Sequence, residues 1–404
     1  MRCCRAASLL IFGLVGLLFV STPIASAQLS KEKFVRLITD DAALSADEIT
    51  TLNNGDFLVK VLKLKDKRKV SVFGAVRLRD VQSIDLAAFR EVLSQRDNRA
   101  LLDGGRLSSP PVLQDLAALT LKDKDIESIK NCIVGKCDLK LSARMIRRFQ
   151  TEVDWNSAQQ EIQATSLFKQ MLVEYSNDYS KRGDQALIEY VDQKDPVRLV
   201  DEYRVLLEQS VMVHSLAPEF VNYLKKFPAL ELSGAESRLD WSNVDSGLKP
   251  IVTLTHSLGY SRKVNDDLVL TLATKQIYAS HYVDASLGFS WFIRLGAGES
   301  AETYLIFTSI SRSDSLGGVL SGMAHAVVEK EAMEKVEDLL KGAKKRLEMK
   351  QGLSTEPVKD VPESWLFSTI SSLTQSPIFR ILALLIAVGI AGFVLLRSRA
   401  GKTS

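Results

Sequence analysis

Between Lys249 and Ile310 the chain alternates apolar and polar residues with a period of two through four successive runs. Val252, Leu254, His256, Leu258 and Tyr260 share one face of the first run. Leu268, Leu270, Leu272, Thr274, Gln276 and Tyr278 share one face of the second. The third sets Ala285, Leu287, Phe289, Trp291, Ile293 and Leu295 against Ser286, Gly288, Ser290, Phe292 and Arg294, and the fourth carries Tyr304, Ile306, Thr308 and Ile310. Alternation sustained in this way predicts an antiparallel sheet with one buried face. Upstream, Phe57 to Leu64 and Val70 to Leu78 flank a charged turn and predict a β-hairpin over 57–78.

The remaining pattern is helical. Lys31 to Thr39, Asp47 to Leu52 and Ala87 to Leu93 read as short helices, and Ser108-Ser109-Pro110-Pro111 as a loop. From Val112 to Pro228 apolar residues recur three or four apart, with the longest helix at Asn156 to Tyr179 and an apolar stripe that includes Ile162, Leu167, Met171, Leu172 and Tyr175. Asp154-Trp155-Asn156 and Asp240-Trp241-Ser242-Asn243 read as helix starts, each with a packing tryptophan. A closing helix is predicted from Leu316 to Leu347, capped by Ser313-Asp314-Ser315 and striped by Val336, Leu340, Ala343 and Leu347. Its first half holds Gly317, Gly318, Ser321, Gly322 and Ala324 and is almost without bulk. The fold class is therefore α+β, an antiparallel sheet against a long C-terminal helix, with a large helical insertion or domain.

The two ends change the picture of where this body sits. Arg2 and Arg5 precede the apolar run Leu9 to Val20 and then Ala25-Ser26-Ala27, the pattern of a signal peptide over 1–27. Ile381 to Leu396, extended outward to Pro377, gives a transmembrane helix over 377–396, followed by Arg397, Arg399 and Lys402 in a basic tail, 397–404. The positive-inside bias places that tail in the cytoplasm and the body outside it. The remaining divisions are an N-terminal α+β part, 28–111, the helical insertion or domain, 112–240, the sheet with its closing helix, 247–349, and a linker, 350–376.

The net charge of +3 over 404 residues comes from these ends. Setting aside their six basic residues leaves 46 basic against 49 acidic, a nearly neutral body that argues against a nucleic-acid partner. Cys132 and Cys137 enclose Ile-Val-Gly-Lys and would close as a disulfide in an oxidising compartment. No N-x-Ser/Thr sequon follows the signal segment, which favours a bacterial envelope over a eukaryotic surface. The expected location is the bacterial inner membrane, single pass, with the body in the periplasm.

Helix, hairpin, helices, then a run of antiparallel strands and one long helix is an element order that resembles the START-like, helix-grip superfamily, chiefly over 250–347. The segment Ala273 to Tyr282 also looks similar to segments of uncharacterised exported bacterial proteins. The resemblance implies a curved sheet gripping the closing helix around an apolar cavity. Such families mostly bind lipids or other hydrophobic ligands, and some members are cyclases or hydrolases.

Few residues offer chemistry. His256, Gln276, Tyr278 and Trp291 lie on apolar strand faces, where each is either a satisfied core residue or a polar contact for a ligand. Tyr278, His281, Tyr282 and Asp284 form the densest polar-aromatic cluster. In it His281 would be a general base, Asp284 its orienter and Tyr278 a proton donor, or all three ordinary residues at a strand turn. With four histidines in the chain, no histidine-rich metal site is expected, and no cofactor motif occurs. The leading expectation is a membrane-tethered protein whose exported body binds a hydrophobic ligand or lipid between sheet and C-terminal helix. The alternatives are an envelope adaptor acting by contact with other envelope proteins, and, below that, an enzyme using His281 and Asp284.

Overall fold

A computed structural model describes residues 29–81, 83–94, 101–245, 249–317 and 321–349, with side chains of the last stretch from His325 onward. In chain order the helices are α1 (Lys31–Ala42), α2 (Ala46–Asn53), α3 (Leu86–Ser94), α4 (Asp123–Lys130), α5 (Ala143–Glu152), α6 (Gln160–Arg182), α7 (Leu199–Gln209), α8 (Val211–Leu216), α9 (Pro218–Lys226) and α10 (Ser321–Met349). The strands are β1 (Leu58–Leu62), β2 (Lys69–Leu78), β3 (Leu101–Arg106), β4 (Glu189–Tyr190), β5 (Val197–Arg198), β6 (Ala235–Val244), β7 (Ile251–Val264), β8 (Asp267–Ala279), β9 (Ala285–Leu295) and β10 (Glu302–Arg312).

Eight strands form one antiparallel sheet in the order β1-β2-β10-β9-β8-β7-β6-β3, with β4 and β5 a separate two-residue pair. The hairpin predicted at 57–78 joins the sheet through β10. Besides β4 and β5, which fall in the stretch read as helical, two strands of the large sheet lie where none was expected. Asp240-Trp241-Ser242-Asn243 is the end of β6, not a helix start. Asp240, Ser242 and Asn243 are all buried, so polar residues occupy positions that a hydrophobic pattern would have to fill to be read as a strand. In β3, Asp103, Gly104 and Gly105 hide the strand in the same way.

The sheet is covered on both faces, not one. Phe73, Ala75, Leu254, Leu258, Leu287, Phe289, Trp291, Tyr304 and Ile306 pack in a core with residues of α1 and α4 to α9. Val72, Val76, Leu270, Leu272, Phe292, Leu305 and Phe307 pack with α3 and α10. The helical middle is thus a layer laid on the sheet. Burial of every side chain from Ile251 to Tyr260 and from Asp267 to Ala279 follows from this two-sided cover.

Local signals set the helix ends. Ser30 caps α1, its hydroxyl accepting from Lys33 N at 3.3 Å. Ser45 and Glu48 form a reciprocal capping box at α2. The longest of the middle helices, α6, begins four residues later than the pattern indicates, and Ile162 is exposed on it, not part of its buried stripe. Gly183 ends α6 at φ 57°, where an added Cβ would lie 1.8 Å from the Phe227 carbonyl. That turn delivers Asp184 to the sheet. Among the described residues no helix is long and apolar enough to cross a membrane. The expected signal peptide, linker, membrane span and tail lie outside the described residues.

Candidate functional site

The polar residues concentrate where β8 and β9 part. Their ladder ends at Lys275 opposite Leu287. Beyond it, hydroxyls from the helical layer replace the missing strand partner. Tyr203 donates to Gln276 O and accepts from Ser286 N at 3.2 Å. Tyr175 donates to Ile277 O at 2.7 Å, and Tyr190 accepts from Ala279 N at 2.9 Å. Burial pushes the phenols of Tyr190 and Tyr203 well above their ordinary range, so they remain neutral donors and acceptors.

An irregularity in the β7–β8 register sits at the same place. Gln276 stands opposite Thr255 and Tyr278 opposite Leu254, with Ile277 extra between them. The bulge puts Tyr278 on the face of the helical layer, against Phe168 and Tyr190. Gln276 stays with Leu270 and Leu272 on the face of α3 and α10. The period-two reading had Tyr278 and Gln276 sharing one face; one added residue separates them.

Asp284 is fully buried and accepts from three groups. Lys140 Nζ bonds one carboxylate oxygen, and Arg312 at 3.0 Å and Asp314 N at 2.7 Å bond the other. Lys140 also lies 3.5 Å from Asp192. Burial alone would lower the Lys140 pKa, but Asp284 and Asp192 outweigh it and hold it raised. Burial pushes Asp192 up against the pull of Lys140. Lys140 and Arg312, which close this network, were not singled out by sequence. Lys140 lies between Leu139 and Leu141, a cation among apolar neighbours, but Arg312 lies between Ser311 and Ser313 and carries no such signal.

His281 has other partners. Its Nε2 lies 3.2 Å from Asp125 and its Nδ1 3.1 Å from Asp138 O. His281 and Asp284 therefore bond different groups, and the buried Tyr278 hydroxyl has no hydrogen-bond partner among the described residues. No base–orienter pair forms between His281 and Asp284.

His256 sits on the helical-layer face, between two hydroxyls. Tyr179 Oη is 2.8 Å from Nδ1 and Ser237 Oγ 2.8 Å from Nε2. A serine at that distance from a histidine invites a nucleophile reading, but the proton positions oppose it. His256 is the one partner found for the Tyr179 hydroxyl among the described residues, so that hydroxyl donates to Nδ1. Nε2 then carries the proton and donates to Ser237, whose own hydroxyl is left to Tyr223. Burial, with a contribution from Lys275, holds His256 well below its usual range and keeps the ring neutral. The arrangement satisfies a buried imidazole and does not activate Ser237. Trp291 is buried on the same face, stacked on Phe289 with ring centroids 5.4 Å apart. The four ligand-contact candidates are thus split. His256, Tyr278 and Trp291 face the helical layer, away from α10, because strand register directs them there, and Gln276 alone faces the α10 side.

On that side the sheet carries Asp240, Ser242, Thr253, Thr255, Ser257, Thr274, Gln276, Ser286, Ser290, Ser309 and Ser311, all buried. Several pair among themselves: Ser242 with Thr253 at 2.8 Å, Ser257 with Asp240 at 3.1 Å and Ser286 with Ser311 at 2.6 Å. Thr255 Oγ1 and Gln276 Nε2, opposite each other across β7 and β8, have no hydrogen-bond partner among the described residues. Where α10 crosses β2 the contact is tight, with Val336 and Leu340 filling the space above Gly74. The Sγ atoms of Cys132 and Cys137 lie at bonding distance. Among the described residues no group of three or more His, Cys, Asp or Glu could hold a metal ion.

No protein-family model matches this chain, and no curated protein or solved structure is significantly similar to it.

Proposed function

We propose that this is a membrane-tethered envelope protein whose exported body holds an amphiphilic ligand on the sheet face shared with α3 and α10. The observation that carries the reading is the pair Thr255 Oγ1 and Gln276 Nε2, without a partner among the described residues and buried in the middle of a polar floor. A buried polar atom without a partner costs about 1–3 kcal/mol, and two side by side on a sheet suit the polar head of a ligand. Apolar side chains around that floor, Ile251, Leu272 and Phe292 among them, suit a hydrocarbon part. The START-like resemblance implies a ligand on this side of the sheet. The signal peptide expected from sequence would supply export, and the expected C-terminal span the tether.

The test is native mass spectrometry of the full chain released from lipid nanodiscs. The wild type is expected to retain an adduct that extracts into organic solvent, and Gln276→Leu to lose it while melting at a similar temperature. A bare wild-type mass, with no uptake on challenge with lipid, would leave the protein a tethered module that acts by contact with other envelope proteins.

A further inference from the structure

A cavity of about 400 Å³ opens on the other face of the sheet, between α7, α9 and the strands β8 and β9. Val200, Leu207, Leu224 and Leu287 form much of its wall. At its base is Lys275, whose side chain is almost wholly buried. Asp184 bonds the Lys275 ammonium, and the Tyr203 ring centroid lies 4.6 Å from Nζ. Arg204 and Lys225 line the rim beside Glu208.

A lysine ammonium has three donor hydrogens. Asp184 is the one hydrogen-bond acceptor found for it among the described residues, and the aromatic ring offers a face but no lone pair. The cation therefore has donors to spend at the bottom of an apolar-walled space. The volume falls within the range of small-molecule pockets. We propose that this cavity is a binding site for a small organic carboxylate with an apolar tail, its head on Lys275 and its tail against Leu207, Leu224 and Leu287. The site is independent of the ligand proposed for the α10 face.

The geometry also assigns Asp184 a role. It is half-exposed at the cavity wall and occupies the donor that an incoming carboxylate would take. Gly183 fixes it there, because the turn at that position leaves no room for a side chain. Asp184 thus competes with the ligand head.

The experiment titrates full-length protein in nanodiscs with ¹³C-carboxyl octanoate, followed by NMR, with empty nanodiscs as reference and octan-1-ol as the neutral probe. Lys275→Met is expected to weaken octanoate binding roughly ten- to a hundredfold, the loss of a charge-assisted hydrogen bond, and to leave octanol unchanged. Asp184→Asn is expected to tighten octanoate binding, and Leu224→Trp to abolish binding of both probes by filling the space. Gln276→Leu, on the opposite face, is expected to change neither, which separates this site from the one proposed above. The inference is overturned if wild-type protein takes up no octanoate, if folded Lys275→Met binds it undiminished, or if Asp184→Asn binds it more weakly. Should Lys275→Met not fold, the Asp184 and Leu224 variants decide alone.

Discussion

Val336 of the closing helix stands where Gly74 of β2 has no side chain: a Cβ built on Gly74 would lie 2.4 Å from Val336 Cγ1 and 3.0 Å from Leu340 Cδ1. The helix is seated in the sheet by the absence of one carbon. Gly74→Ala is expected to push α10 outward and to destabilise the protein by about 1–3 kcal/mol, the usual cost of overpacking. Chemical denaturation measures it. An alanine variant as stable as wild type would mean that α10 slides freely on β2.

Tyr203 closes the gap between β8 and β9 from the other side. Removing its hydroxyl in Tyr203→Phe leaves Gln276 O and Ser286 N without that partner in a buried place. The expected loss is about 1–3 kcal/mol, larger than the effect of an exposed tyrosine. Amide hydrogen exchange at Ser286 should accelerate in the variant. Unchanged protection there would show that the strands do not depend on the phenol.

Much of this architecture is legible in the alternation of residues. The strands β7 to β10, the hairpin β1–β2, and the stripe of Val336, Leu340, Ala343 and Leu347 follow the pattern closely, because in each an apolar residue recurs at the period of its element. The failures have a common cause. Asp240 and Ser242 in β6, Thr255 in β7 and Lys275 in β8 are polar yet buried, since partners far away in sequence or a second layer cover them, and a hydrophobic pattern sees only the polarity. The bulge at Ile277 is equally silent: one extra residue reverses a face without altering composition. Site residues suffer most, because Tyr203 and Lys140 act through backbone atoms and charges brought in from elsewhere in the chain.

Asp41, on α1, is pushed up to about 6 by burial. In the unfolded chain an aspartate titrates near its ordinary value of about 3.9. Between these values the folded protein holds a proton that the unfolded chain has released. Its contribution to stability is therefore fully present below the unfolded pKa and is lost as pH rises through the folded one. Asp41→Asn removes that penalty and is expected to stabilise the protein at pH 7 by about 1–2 kcal/mol, a figure discounted for partial exposure. The gain should vanish near pH 4. Thermal melts of both proteins across this range would show it, and a gain that stayed constant with pH would remove the titration from the explanation.

Asp284 bonds two cations and a backbone amide with no exposed surface, whereas Asp178 pairs with Arg182 on the outside of α6. The two carboxylates are thus placed in opposite dielectric surroundings, and the cost of losing each should differ accordingly. Asp284→Asn leaves Lys140 and Arg312 buried with too little opposing charge, and breaking such a pair typically costs about 3–5 kcal/mol. Salt in solution should alter that loss little, because counterions do not reach the site. Asp178→Asn should cost under about 1 kcal/mol and less still at high salt. Denaturant titrations of both variants at low and high salt make the comparison. Equal losses in the two, or a strong salt effect on Asp284→Asn, would show that the Asp284 network opens to water.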